Sequence, residues 1–292
     1  MTKKEFQELA QNVIILDGAT GSNLMAAGMP KNACTEKWVL ENPEILLKLQ
    51  RDYVEAGSQI IYAPTFGANR KTLEKKGLGS EIGDLNRKLV ALSKQAAAGK
   101  AFVAGDMTTS GIIWGIEDDY TDEDALKMYE EQISYLAEAG ADLLIVETMI
   151  SIDEAETAVM AAKNVCDLPV MCSVTVNEQG WLCCGGRATD AVTTLQEAGA
   201  DAVGINCSSG PEQLEELVRQ MKAVAKVPLI VKPNAGLPEL TKMGEVVYRT
   251  TADEFAAAME RLIGAGADIV GGCCGTTPEY IRKLRERVKA LV

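Results

Sequence analysis

Four times along the chain a helix-like segment runs out into the same small-residue signal. The four are Glu55-Ala56-Gly57-Ser58, Glu138-Ala139-Gly140-Ala141-Asp142, Glu197-Ala198-Gly199-Ala200-Asp201 and Gly264-Ala265-Gly266-Ala267-Asp268. Glycine just past the last helical turn takes the left-handed conformation that ends a helix, and an apolar, β-branched run follows each signal. The repeat therefore marks helix-to-strand junctions. Short apolar runs that read as strands lie at 13–17, 59–63, 101–105, 142–147, 169–174, 201–206, 228–232 and 268–272. The signals fall before every second one, so the repeating unit is a pair of βα units, and four such pairs suit a closed (β/α)8 TIM barrel of the α/β class. A doubly wound open sheet is the rival architecture. Even spacing, and the lack of a Gly-x-Gly-x-x-Gly turn after the first strand, favour the barrel.

The segments between strands support this reading. Pro43 opens a helix over 44–55, with Ile45, Leu46, Leu49 and Val54 inward and Lys48, Arg51 and Asp52 outward. Thr121-Asp122-Glu123-Asp124 is a capped, acidic helix start, and Ser151-Ile152-Asp153-Glu154 reads as a capping box. The stretch 105–119, with Trp114, reads as a loop over one barrel mouth. No linker or low-complexity segment interrupts the 292 residues, so one domain over 1–292 is expected.

Charge and cysteine usage narrow the function. With 29 basic against 42 acidic residues the net charge is −13, which argues against nucleic acid or an anionic membrane as partner. No apolar run reaches the ~18 residues of a membrane span, and no signal-peptide core follows Met1, so a cytoplasmic location is expected. The eight cysteines there read as thiols or metal ligands, not disulfides. There is no histidine, which removes Ser-His-Asp and Cys-His nucleophiles and every histidine-bound metal.

In barrels of this type chemistry sits at the C-terminal strand ends. Those ends carry Asp17, Thr65, Asp106, Glu147, Cys207, Asn234 and Cys273-Cys274. Strands six and eight flank strand seven, so Cys207 and the Cys273-Cys274 pair converge over Asn234. Three thiolates suit Zn²⁺ and leave one coordination position open, as catalytic zinc sites do. Zinc there would hold a substrate thiol as thiolate without a general base. Asn234 is a candidate weak ligand or hydrogen-bond partner when substrate is absent. The competing sulfurs have plainer readings: Cys166 and Cys172 as small buried hydrophobes, Cys34 as incidental, Cys183-Cys184 as local packing near the end of strand five.

Asp17 and Glu147 fit either of two roles, an acid/base pair for glycoside hydrolysis or fixed charges for an ammonium; Asp17 as a helix N-cap is a third possibility. The turn Gly18-Ala19-Thr20-Gly21-Ser22 offers backbone N–H groups to a carboxylate. Ammonium and carboxylate recognition together specify an α-amino acid.

Asp17-Gly18-Ala19-Thr20-Gly21, Pro64-Thr65-Phe66-Gly67-Ala68-Asn69-Arg70, Glu147-Thr148, Gly204-Ile205-Asn206-Cys207 and Gly271-Gly272-Cys273-Cys274-Gly275-Thr276-Thr277-Pro278 together resemble the homocysteine S-methyltransferase family, from about residue 13 to 287. The resemblance implies a zinc-dependent barrel that methylates homocysteine to methionine. By position it makes Cys207, Cys273 and Cys274 the zinc ligands and places Asp17 and Glu147 at the substrate amine. It likewise places Gly18, Ala19 and Thr20 at the carboxylate and Thr65 in the pocket. The runs around Thr65 and Asn234 look most like the homocysteine domain of cobalamin-dependent methionine synthase. No folate or corrinoid domain follows in this chain, so the expected donor is a methylcorrinoid on a separate protein, with S-methylmethionine or betaine as the small-molecule alternative. A non-catalytic zinc- or thiol-binding module and a metal-free glycosidase are the readings of other classes.

Overall fold

Each repeated junction carries its glycine in the left-handed region: Gly57 (φ +115°), Gly140 (+85°), Gly199 (+98°) and Gly266 (+117°). The acid that follows has a second task. Asp142 Oδ2 accepts from the Val103 N–H at 2.7 Å and pairs with Lys94. Asp201 does the same for Val170 (2.8 Å) and Lys163, and Asp268 for Leu229 (2.8 Å) and Lys222. In the first unit Gln59 Oε1 takes the Ile15 N–H at 3.0 Å. One side chain thus ties the start of an even strand to that of the odd strand before it, giving a chemical basis for the paired repeat.

The computed structural model describes residues 1–111, 120–241 and 246–290. Its strands are β1 (Ile14–Ile15), β2 (Ile60–Tyr62), β3 (Phe102–Met107), β4 (Leu143–Met149), β5 (Val170–Val174), β6 (Ala202–Asn206), β7 (Leu229–Lys232), β8 (Glu239–Leu240), β9 (Val246–Val247) and β10 (Ile269–Val270). Eight are parallel in the order β1-β10-β7-β6-β5-β4-β3-β2, and a Leu16–Ile60 bridge joins the two ends. This is the (β/α)8 barrel expected from the repeat, with every expected strand in place. The antiparallel β8–β9 hairpin was not expected; its strands are too short to show a period.

Strand alternation sorts the residues into lumen and shell. Ile14, Leu16, Ile60, Ala104, Leu143, Ile145, Met171, Ala202, Ile230 and Ile269 pack together inside the barrel. Phe6, from the N-terminal helix Lys3–Leu9, closes the bottom. Val103, Leu144, Val146, Cys172, Val203, Leu229 and Val231 face outward against the helices. Further along the inward faces, two residues on in five strands and four on in β6, the lumen changes character: Tyr62, Asp106, Glu147, Ser173, Asn206 and Lys232 are all buried there.

Some expectations are corrected in detail. The helix Pro43–Ala56 buries Leu46, Leu47, Gln50, Tyr53 and Ala56, leaving Ile45, Leu49 and Val54 half-buried at the edge of that face. Thr121 closes a full capping box with Asp124. At Ser151 only half a box forms, because the Glu154 carboxylate turns away to Thr109 Oγ1, the Ser110 N–H and Tyr129 Oη. The stretch read as a loop from residue 105 is strand through Met107, since Gly105, Asp106 and Met107 pair with Leu144, Ile145 and Val146. Residues 112–119, Trp114 among them, lie outside the described residues.

Candidate active site

Cys207 is the first residue past β6, in the left-handed region at φ +52°; Cys273 and Cys274 follow β10. The two loops are stitched across the end of β7, which lies between their strands. Cys207 N–H donates to Lys232 O (3.2 Å), Cys273 N–H to Pro233 O (2.7 Å), Asn234 N–H to Ser209 O (3.0 Å) and Ala235 N–H to Cys274 O (2.9 Å). As a result the three Sγ atoms lie within 4.8 Å of one another, Cys207 and Cys274 at 3.5 Å. A tetrahedral ion with ~2.3 Å bonds to sulfur wants its sulfurs about 3.8 Å apart. The donor set therefore fits zinc.

The cluster's protons are arranged for such an ion. Hydrogen bonding from the neighbouring sulfurs, with Cys207 Sγ 3.5 Å away, draws Cys274 down to about 3. Cys207 is pushed up as the donor to Cys273 and Cys274. Cys273 accepts from Cys207, but donation to Cys274 and burial push it up overall. An ion taking all three sulfurs as thiolates displaces the protons that these bonds share.

Beneath the sulfurs lies the polar upper lumen. Asp17 Oδ2 accepts from the Tyr62 N–H at 2.8 Å, and Oδ1 faces the Lys232 ammonium at 3.6 Å. Burial pushes Asp17 up to about 6 against the pull of Lys232, and pushes Glu147 up to about 8 against the same lysine. Asp106 is raised as well, by burial and by Glu147. Four buried polar atoms here, Asp17 Oδ1, Asp106 Oδ1, Tyr62 Oη and Asn234 Oδ1, have no hydrogen-bond partner among the described residues. Unsatisfied buried acceptors of this kind mark a place made for a guest.

Asn206 joins the two levels. Its Oδ1 accepts from the Thr148 N–H (2.8 Å) and Ser173 Oγ (2.8 Å). Its Nδ2 donates to Thr148 Oγ1 (2.7 Å) and reaches Glu147 Oε2 (3.4 Å) and Cys273 Sγ (3.9 Å).

The turn after β1 is tightly held. Ala19 N–H donates to Thr276 Oγ1 (3.1 Å), and its carbonyl accepts from Tyr53 Oη (2.8 Å) and Asn23 Nδ2 (2.7 Å). A Cβ on Gly18 would sit 2.6 Å from Tyr53 Oη, so only glycine fits there. Thr20, not Asp17, stands at the N-cap position of the next helix, Gly21–Ala26, and makes no side-chain cap bond there. Thr65 is buried, but its hydroxyl is engaged by the Asp106 backbone, donating to O at 2.8 Å and accepting from N at 3.0 Å.

The structure thus gathers Cys207, Cys273, Cys274 and Asn234 at one level, and Asp17 and Glu147 below. Thr65 clamps β2 to β3. Cys172 is buried in the core as expected, Cys166 only half so, and Cys34 donates to Glu36 Oε2 at 3.0 Å. Cys183 and Cys184 correct the packing expectation: both are exposed, on a tight turn with Gly185 (φ +97°) and Gly186 (φ +84°) in the left-handed region, held by the Cys184 N–H donating to Ile150 O at 3.1 Å. Three site residues went unremarked in the sequence. Lys232 and Asn206 carried a signal, their position on the inward alternation of β7 and β6. Tyr248, packed against Gly275 beside Cys274, carried none.

The family model for homocysteine S-methyltransferase matches residues 14–288. The chain belongs to the homocysteine S-methyltransferase family. Methionine synthases of Mycobacterium tuberculosis and Mycobacterium leprae are 32% and 31% identical to it over 96% and 97% of the chain. The chain spans only 25% of the length of each of these relatives. Among solved structures, the metallated homocysteine methyltransferase MmuM of Escherichia coli matches with a TM-score of 0.79 at 25% identity, over 98% of this chain and 99% of that one.

Proposed function

We propose that this chain methylates the sulfur of L-homocysteine to give L-methionine, with zinc held by Cys207, Cys273 and Cys274. The observation that carries the reading is the three-sulfur cluster directly above a buried set of carboxylates, in a chain of this family. Zinc, when bound, would supply a Lewis acid that keeps a thiol ionised at neutral pH. This chain's own residues do the rest. Glu147 and Asp17 receive the substrate ammonium, and the unpartnered Asp17 Oδ1 supplies one acceptor. The turn Gly18-Ala19-Thr20 lies beside the carboxylate; since Thr276 occupies the Ala19 N–H, Gly18 and Thr20 are left to meet it. Asn234, with a free buried Oδ1, stands at the edge of the cluster.

So held, the substrate sulfur attacks the methyl carbon in line. The new S–CH₃ bond forms as the bond from methyl to donor breaks, and that electron pair leaves with the donor. Fixing the sulfur in this line is the residues' main contribution to rate.

A methylcorrinoid presented by a corrinoid protein or domain is the donor we favour, because the runs around Thr65 and Asn234 resemble methionine synthase, the name carried by relatives at 31–32% identity. A small-molecule donor, such as S-methylmethionine or betaine, is the second reading. It is supported by the match to MmuM over nearly that protein's whole length. Methylcobalamin, S-methylmethionine and betaine offered in parallel with homocysteine decide between them, and turnover of only the latter two removes the corrinoid. In the same assay, alanine at Cys207, Cys273 or Cys274 is expected to abolish both stoichiometric zinc and methyl transfer. Retention of either by all three variants defeats the proposal.

A further inference from the structure

Lys232 is a buried cation that the reaction as described does not use. It ends β7 on the inward face, one step above Ile230, and only 4% of it is exposed. Among the described residues it is the sole cation in the upper lumen. Its Nζ lies 3.6 Å from Asp17 Oδ1 and 4.7 Å above the Tyr62 ring. Burial alone would strip such a lysine of its proton, but Glu147, Asp17, Cys273 and Asp106 together reverse that and hold it charged. A lysine kept charged is neither a general base nor a Schiff-base nucleophile. What it offers the site is fixed positive charge.

We propose that Lys232 is a positioning residue for the amino-acid end of the substrate: its ammonium, set between Asp17 and the face of Tyr62, keeps Asp17 a carboxylate ready to share the incoming ammonium with Glu147. The inference rests on the amino-acid reading given above. The groups that bear on Asp17 come from every neighbouring element: Tyr53 from the helix Pro43–Ala56, Tyr62 from β2, Asp106 from β3, Glu147 from β4, Lys232 from β7 and Cys273 after β10. Tyr53 and Tyr62 are raised and stay neutral; burial first, then Cys273, disfavours an ionised Asp17, and Asp17 in turn raises Asp106 and Glu147. Among the described residues Lys232 is the charge that counters this, and the Tyr62 N–H adds a hydrogen bond to Asp17 Oδ2.

The test is calorimetric binding of L-homocysteine to the zinc-loaded protein between pH 5.5 and 8.5, for wild type, Lys232→Met and Lys232→Arg. 4-Mercaptobutyrate, which lacks the ammonium, is the control ligand. In Lys232→Met the fall in homocysteine affinity on acidification moves up by at least about one pH unit, a tenfold loss per unit below it. Lys232→Arg restores the profile to within about threefold, because arginine keeps its charge. 4-Mercaptobutyrate binds wild type and Lys232→Met alike. An unmoved acid limb overturns the proposal. An equal loss for 4-mercaptobutyrate does so too, since Lys232 would then be receiving the substrate carboxylate. If Lys232→Met does not fold, Asp17→Asn with Lys232→Met removes both charges, and a limb persisting near pH 6 overturns it. Wild type that binds neither homocysteine nor L-methionine defeats the amino-acid reading itself, and this inference with it.

Discussion

At the scale of single residues the site is held by strain that one amide relieves. Thr148 (φ +61°) and Cys207 (φ +52°) both sit in the left-handed region without being glycine, a conformation that costs of order 1–2 kcal/mol each. Asn206 fixes the first through paired hydrogen bonds to Thr148 N and Oγ1, and precedes the second directly. Its reach toward Cys273 Sγ makes it a support for the sulfur cluster as well. Asn206→Ala is therefore expected to lower zinc affinity by about 10–100-fold, as loss of a ligand's hydrogen-bonded support does, and to cost about 1–3 kcal/mol in stability. A competitive chelator titration and a denaturant melt measure the two, and an unchanged zinc affinity refutes the supporting role. The cysteines were legible from sequence because adjacent thiols at a strand end are chemically conspicuous. Asn206 and Lys232 were less so: their inward alternation was there to read, but a polar residue at a strand end looks the same whether it meets water or a closed lumen. Only barrel closure separates the two cases, and closure is a property of distant pairings such as Leu16 with Ile60.

At the scale of elements, the two ends of the strands carry different work. Asp142, Asp201 and Asp268 bind backbone N–H groups at the N-terminal ends, far from the sulfurs. Asp201→Ala leaves the Val170 N–H without its acceptor and Lys163 without its partner. The lysine pair, partly exposed, adds little; the orphaned N–H sets a cost of about 1–3 kcal/mol. Zinc content and homocysteine affinity are expected to stay at wild-type values. A thermal melt alongside metal analysis checks both, and a loss of zinc would show that the strand bottoms and the site are coupled. This half of the barrel could be read from sequence because glycine past a helix end, found four times, and an acid before a strand, found three times with Gln59 in the fourth place, are local chemistry. The β8–β9 hairpin that brings Tyr248 to Cys274 lacks any such local mark. Its strands, of two residues each, are too short to show a period.

At the scale of the whole molecule, the barrel has an apolar floor and an acid-rich ceiling, and the ceiling works against the fold. Glu147 is raised from 4.5 to about 8, so the folded chain holds a proton there that the unfolded chain releases. Stability then falls as pH rises across that interval, because the folded state binds more protons than the unfolded one. Glu5, Asp124 and Glu254 are shifted down and respond only at more acid pH. The cysteine cluster also changes its protons on folding, so a bare melting curve mixes several sources. Comparison with Glu147→Gln isolates one, since glutamine resembles the protonated acid and leaves the sulfurs alone. The gap in melting temperature in favour of Glu147→Gln is expected to widen from pH 5 to pH 8 by at least about 2–4 °C, the size of roughly one pKa unit in a chain this long. A constant or narrowing gap would mean that Glu147 is ionised in the free fold. The same variant should bind homocysteine more weakly, having lost the charge that meets the ammonium. Stability gained at the position where affinity is lost is what a carboxylate kept for a ligand produces. A purely structural acid would lose both together.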